Sequence, residues 1–128
     1  MALSPRGLEK LVSFPLHPVA SEASTFTGSG GNFADLQQFD GDIVITLDSS
    51  AAAASGTMTG VIQDSADGIN HVHPDTGGAF TSVAQAASRQ QLVISKDECR
   101  RYIRFVGTIA ASGTTIYSVQ GMGVRKYG

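Results

Sequence analysis

The feature that most constrains this chain is the strict alternation of apolar and polar residues over short runs. Across residues 42–48, Ile43, Ile45 and Leu47 point one way, and Asp42, Thr46 and Asp48 point the other. A period of two places side chains on opposite faces of an extended strand and marks it as half-buried. The pattern returns at residues 57–63, where Met58 and Ile62 oppose Thr57, Thr59 and Gln63, and at residues 91–95, where Leu92 and Ile94 oppose Gln91 and Ser95. Gly60 leaves a gap on the inner side of its strand that a neighbour or a bulge must fill. In the run 100–109, Ile103, Phe105 and Ile109 alternate with Arg100, Tyr102, Arg104 and Thr108. The next run, 114–122, carries Ile116 and Met122 on one face and Tyr117 and Val119 on the other, so both faces are expected to touch something. These last two runs, separated by small residues, read as an antiparallel hairpin at the centre of the fold. With six or seven strands in 128 residues, 15 glycines and no tryptophan, the chain is expected to be all-β, an antiparallel β-sandwich of jelly-roll type. A chain of this length buries about two-thirds of its unfolded surface and needs no staples.

The first thirty-two residues differ in character. Leu8, Leu11, Val12, Phe14 and Leu16 are apolar, yet Pro15 and Pro18 forbid a continuing helix and remove strand donors. Residues 24–32 are rich in Ser, Thr and Gly. The division expected is an extended N-terminal arm, residues 1–32, joined to a sandwich domain, residues 33–128. The arm's apolar residues are then free to pack on a neighbouring subunit or another protein. Removing residues 1–31 should leave a folded body. The competing reading is an edge strand folded back on its own body. His17, between the prolines, has no visible partner.

Several function classes are disfavoured. Net charge is -2 with no basic stripe, so no nucleic-acid partner is expected. No apolar run approaches the ~20 residues of a membrane helix, and residues 1–20 lack the apolar core of a secretion signal. Cys99 is the single cysteine and has no histidine near it in sequence to act as a base, so a nucleophile is not expected. No phosphate loop, nucleophile elbow or paired-cysteine motif is present, and neither catalysis nor a cofactor is expected. His71 and His73 would leave the same strand face with Asp75, a spacing that admits zinc, but Pro74 interrupts the strand and no further ligand completes a site. Asp64, Asp67 and Gly68 lack the alternating oxygen ligands of a calcium loop and read as a hairpin turn. Arg100 and Arg104 share a face with Tyr102, where they could stack on the ring or clamp a partner's carboxylates, or lie on a solvated sheet face.

The succession Val44-Ile45-Thr46-Leu47-Asp48, Gly56-Thr57-Met58-Thr59, Ile62-Gln63-Asp64-Ser65-Ala66-Asp67-Gly68, Leu92-Val93-Ile94-Ser95 and Arg101-Tyr102-Ile103-Arg104-Phe105-Val106-Gly107-Thr108 resembles small virion proteins of tailed bacteriophages, of the capsid decoration or cement type. The resemblance covers residues 41–123 and rests on the order and spacing of its motifs. It implies a non-enzymatic protein on the capsid surface, made in the host bacterial cytoplasm. Its partners would be the major capsid protein and itself, with a homotrimer ahead of a dimer. The arm residues and Arg100, Tyr102 and Arg104 are the expected contacts. The stretch 101–104 also looks like a strand of carbohydrate-binding jelly rolls. A phage tail or connector component and a glycan-binding module are therefore the alternatives.

Overall fold

The computed structural model describes residues 11–23, 25–27, 34–53, 55–66, 79–95, 101–111 and 113–125. Its strands are β1 (Leu11–Glu22), β2 (Phe26–Thr27), β3 (Ala34–Asp35), β4 (Phe39–Ser49), β5 (Thr57–Ser65), β6 (Ser88–Ser95), β7 (Tyr102–Ala110) and β8 (Thr115–Arg125), with a 3-10 turn at Leu36–Gln38. The turn is capped by Asp35, whose side chain accepts from the Gln37 amide at 3.0 Å.

One sheet has the order β1-β8-β4-β6. In the other, β7 is central: β5 lies on one side, and β2 and β3 follow one another along the other. Residues 79–83 bridge the far side of β5 through Val61↔Ala79 and Met58↔Val83. Every pairing among the described residues is antiparallel. With β2 and β3 taken as one interrupted strand and 79–83 as another, this is the two-Greek-key order of a jelly roll. The expected all-β sandwich is the fold observed.

The expected central hairpin is not. β7 pairs with β2, β3 and β5, while β8 lies between β1 and β4 in the opposite sheet. The link between them turns a corner, with Ala111 at φ 53° and Gly113 backed onto Gly56 and Thr57 so closely that an added Cβ would lie 2.6 Å from the Thr57 nitrogen. This arrangement lets the apolar sides of both strands face each other across the core, with the Phe105 and Tyr117 rings 5.6 Å apart. A hairpin within one sheet would have set those sides next to each other instead.

The alternating residues fill the interior as their period requires. Ile43, Ile45, Leu47, Met58, Ile62, Ile103, Phe105 and Val119 are fully buried, each contributing about 1.5–3 kcal/mol. The gap at Gly60 is filled by a neighbour: a Cβ there would come within 2.6 Å of the Phe105 ring and 3.4 Å of Phe80.

Residues 11–22, placed by the sequence in an arm outside the sandwich, form edge strand β1, paired with β8 from Leu11↔Val124 to Glu22↔Thr115. Prolines are admitted because β1 is an edge. Its register shifts between Pro15 and His17 and again between His17 and Ala20. At the first shift Leu16 and His17 both turn inward, which strict alternation forbids. The sandwich therefore begins by residue 11 rather than at 33, and the strand folded back on its own body describes this segment.

Candidate interaction surfaces

On the outer face of the second sheet, Tyr102 and Arg104 of β7 are half-buried. Arg101, just before β7, makes a bidentate pair with Asp35 at 3.0 and 2.9 Å, and its guanidinium lies 5.0 Å from the centre of the Tyr102 ring. The Arg101 guanidinium beside it holds the Asp35 carboxyl below the usual carboxylate range. Arg104 donates to the Gln63 Oε1 at 2.9 and 2.6 Å, and partial burial lowers its pKa from the ordinary guanidinium value. The sequence named Arg100 and Arg104 for stacking on Tyr102 or for clamping a partner's carboxylates; within the chain it is Arg101 that lies over Tyr102 and pairs with a carboxylate, Asp35. Arg100 lies outside the described residues, as do Leu8, Cys99, His71, His73, Asp75, Asp67 and Gly68. Among the described residues no cluster of three or more metal-ligating side chains occurs. Asp64 is a buried residue of β5, paired with Ile103 of β7 and so on the inner side, rather than a turn ligand.

The arm residues divide. Leu16 is fully buried and belongs to the chain's own core, so it is not available to a partner. Val12 and Phe14 are partly buried against that core, Phe14 lying over Gly121 with its ring 5.2 Å from that of Phe39. Leu11, half-buried, pairs with Val124 on the outer side of the sheet.

The outer face of the first sheet has the more open apolar surface. Val93 is 63% exposed, Ile116 51% and Met122 47%. The register aligns Val93, Val44 and Met122 in one row across β6, β4 and β8. Beside it, Thr46, Gln91 and Gln120 form a polar row and, with Ser13, Val44 and Met122, line an open depression of about 250 Å³. Arg89 and Asp48 lie opposite each other at one end of the face, and Asp42 lies toward the other. The two-sided β8 expected from the sequence is explained: Tyr117 and Val119 fill the core, while Ile116 and Met122 face outward.

His17 was missed as a structural residue. It is 1% exposed, stacked on Tyr117 at 4.1 Å and edge-on to Phe26 at 4.4 Å. Its Nδ1–H donates to the Tyr117 carbonyl at 3.1 Å, and Nε2 faces Glu22 at 3.6 Å. Burial, reinforced by the Glu22 charge, pushes the Tyr117 phenol well above its usual value. The available signal was a histidine flanked by prolines in an apolar run, since such prolines mark bulges that turn adjacent residues inward.

No family model matches the chain, and no curated protein sequence matches it. Its fold is similar to a chain from the structure of infectious bursal disease virus Gx strain, with a TM-score of 0.59 and 11% identity over 92% of this chain. It is also similar to the infectious bursal disease virus VP2 subviral particle, at 0.53 and 14% over 90%. The chain spans 32% of the length of each. The SPBc2 prophage-derived protein YomS overlays with a TM-score of 0.48 and 13% identity, over 89% of this chain and 92% of that one. No helix among the described residues is long and apolar enough to cross a membrane.

Proposed function

We propose that this chain is a non-enzymatic structural protein of a virus particle, a bacteriophage decoration or cement protein. In this reading it binds the lattice of the major capsid protein, associates with copies of itself and stabilises the shell. The observation that carries the reading is the outer face of the first sheet, where Val93, Val44 and Met122 lie in a row and Ile116 is exposed farther along β8, beyond Gln120 and Ser118. Such surface on a small soluble domain is suited to contact with another protein. The jelly roll is an architecture that viral shells use, and the likeness to chains of the bursal disease virus particle supports the analogy at the level of fold.

Cementing follows from linkage. A protein that binds the assembled lattice but not its free subunits stabilises the lattice by its binding free energy, repeated over many sites. The direct test is the copy number of this chain in purified particles. Hundreds per particle support the shell, about six or twelve support a tail or connector ring, and none overturns the reading.

A glycan-binding module is the reading from a different class. It needs an open aromatic platform, and the half-buried Tyr102 ring has Arg101 lying over it. Saturable binding on a glycan array would favour it.

A further inference from the structure

We propose that the outer edge of β6 is the surface through which two copies of this chain associate. β6 would pair with β6 of a second copy, antiparallel across a two-fold axis, so that the two first sheets become one continuous sheet. This deepens the proposed function and rests on its self-association, because it names the contact.

The phase of the ladder shows what β6 presents. Ser50 donates its amide to the Ile116 carbonyl at 2.8 Å, and β4 keeps unbroken antiparallel register with β8 from Val44↔Met122 to Ser49↔Tyr117. In an antiparallel ladder, alternate residues turn their peptide groups to alternate sides. Val44, Thr46 and Asp48 therefore turn theirs toward β8, and Ile43, Ile45, Leu47 and Ser49 toward β6. Their opposites Ile94, Leu92, Gln90 and Ser88 are satisfied by β4. The N–H and C=O groups of Arg89, Gln91, Val93 and Ser95 point out of the sheet, where no described strand meets them.

The other edges are unsuited to the same use. β1 carries Pro15 and Pro18 and two register shifts, both recognised ways of blunting an edge. β2 and β3 are two residues each. Residues 79–83 are already closed by Gln90, whose side chain binds both main-chain groups of Thr81. β6 alone among these edges is long, regular in register from Asp42↔Ser95 to Ser49↔Ser88, and without proline.

Symmetry then chooses the arrangement. A trimer needs a head-to-tail contact between two different edges, whereas a two-fold contact uses the same edge twice. Centring the axis on Leu92 sets Gln91 opposite Val93 of the second copy and Arg89 opposite its Ser95. All the outward peptide groups then pair, and the two faces carrying Val93 and Val44 join. Ser95 lies beside Asp42 on β4. Arg89 therefore arrives about two strand spacings, ~10 Å between Cα atoms, from Asp42 of the second copy, on the same outer face. A long guanidinium and a carboxylate can meet over that distance, so the pairing is complementary in charge.

The test is the mass of the purified full chain in solution, by sedimentation and native mass spectrometry, with no virus particle present. A dimer with a dissociation constant below about 100 micromolar is expected. Gln91→Pro removes one outward N–H and leaves the β4 ladder intact, so it should weaken the dimer at least about tenfold with an unchanged circular dichroism spectrum. If that variant fails to fold, Arg89→Glu should weaken the dimer and Arg89→Glu with Asp42→Lys should restore it. A monomeric or trimeric wild type, or a dimer indifferent to folded Gln91→Pro or to Arg89→Glu, overturns the proposal. Particle copy number, measured separately, decides the virion reading whichever way the mass falls.

Discussion

The side-chain amide of Gln90 stands in for a neighbouring strand beside Thr81, with its Oε1 accepting the Thr81 N–H at 2.7 Å and its Nε2 donating to the Thr81 carbonyl at 2.8 Å. It joins the last strand of one sheet to the outermost segment of the other and so closes one side of the sandwich. Each such bond contributes about 0.5–1.5 kcal/mol net. Gln90→Ala should therefore cost about 1–2 kcal/mol in denaturant unfolding and speed amide exchange across residues 79–83. Gln90→Glu should cost more, because a carboxylate cannot donate to the Thr81 carbonyl. Wild-type exchange in both variants would show that the segment is held by other means.

Where two connections between the sheets meet, the close approach of Gly56 and Gly113 leaves no room for a methyl group. A Cβ on Gly113 would lie 2.6 Å from the Thr57 nitrogen, and one on Gly56 would lie 2.6 Å from the Ala110 oxygen. These obstacles are backbone, so no rotamer change relieves them. Gly113→Ala is expected to destabilise the chain by about 2 kcal/mol or more, whereas Gly41→Ala, with open space but a φ of 76°, should cost about 1 kcal/mol through backbone strain alone. Thermal melts of the two variants separate crowding from conformation.

Tyr117 predicts how stability responds to alkali. Its hydroxyl is buried and finds no hydrogen-bond partner among the described residues, and its folded-state pKa is raised above the ordinary value of 10.0. Below pH 10 both folded and unfolded chains keep the proton. Above it the unfolded chain releases the proton first, so stability falls by about 1.4 kcal/mol per pH unit until the folded pKa is reached. Tyr117→Phe should be neutral or up to about 1 kcal/mol more stable at pH 7, and should lose this part of the alkaline slope. Paired urea titrations at pH 8, 10 and 11 measure both effects.

Much of this fold was legible because a period of two identifies which side of a strand is buried. Ile43, Ile45, Leu47, Met58, Ile62, Ile103 and Phe105 could be placed inside without knowing any partner. The same period does not say which sheet a strand joins, so β7 and β8 read as a hairpin although each pairs elsewhere. At β1 the prolines announced an edge, but the bulges beside them broke the alternation, and Leu16 and His17 lost the signature of core residues. On the outer faces the two-sided β8 was visible in Ile116 and Met122. The arginine on Tyr102 was not, since its carboxylate, Asp35, lies 66 residues away in sequence. The open edge of β6 was also hidden, because strand order and hydrogen-bond phase are properties of the assembled sheet.

The N-terminal boundary carries the sharpest consequence for engineering the chain. Deleting residues 1–31 was expected to free a stable body, yet that cut removes β1 and β2 together with Leu16 and His17. It leaves β8 as a bare edge and uncovers the faces of Tyr117 and Phe105. Leu16 to Ala alone should cost about 2–5 kcal/mol, a large part of the 5–15 kcal/mol typical of a domain. His17→Ala should cost about 2–4 kcal/mol, since it empties a ring-sized site and leaves the Tyr117 carbonyl without its buried donor. The 1–31 deletion is therefore expected to be insoluble or unfolded, whereas a chain beginning at Leu11 keeps the pairing of β1 with β8 from Leu11↔Val124 to Glu22↔Thr115 and should melt within a few degrees of the full chain. A cooperative melt from the longer deletion would mean that β1 is an appendage after all; its absence, beside a normal melt from the shorter one, makes residues 1–10 the segment whose role in binding can be tested without disturbing the fold.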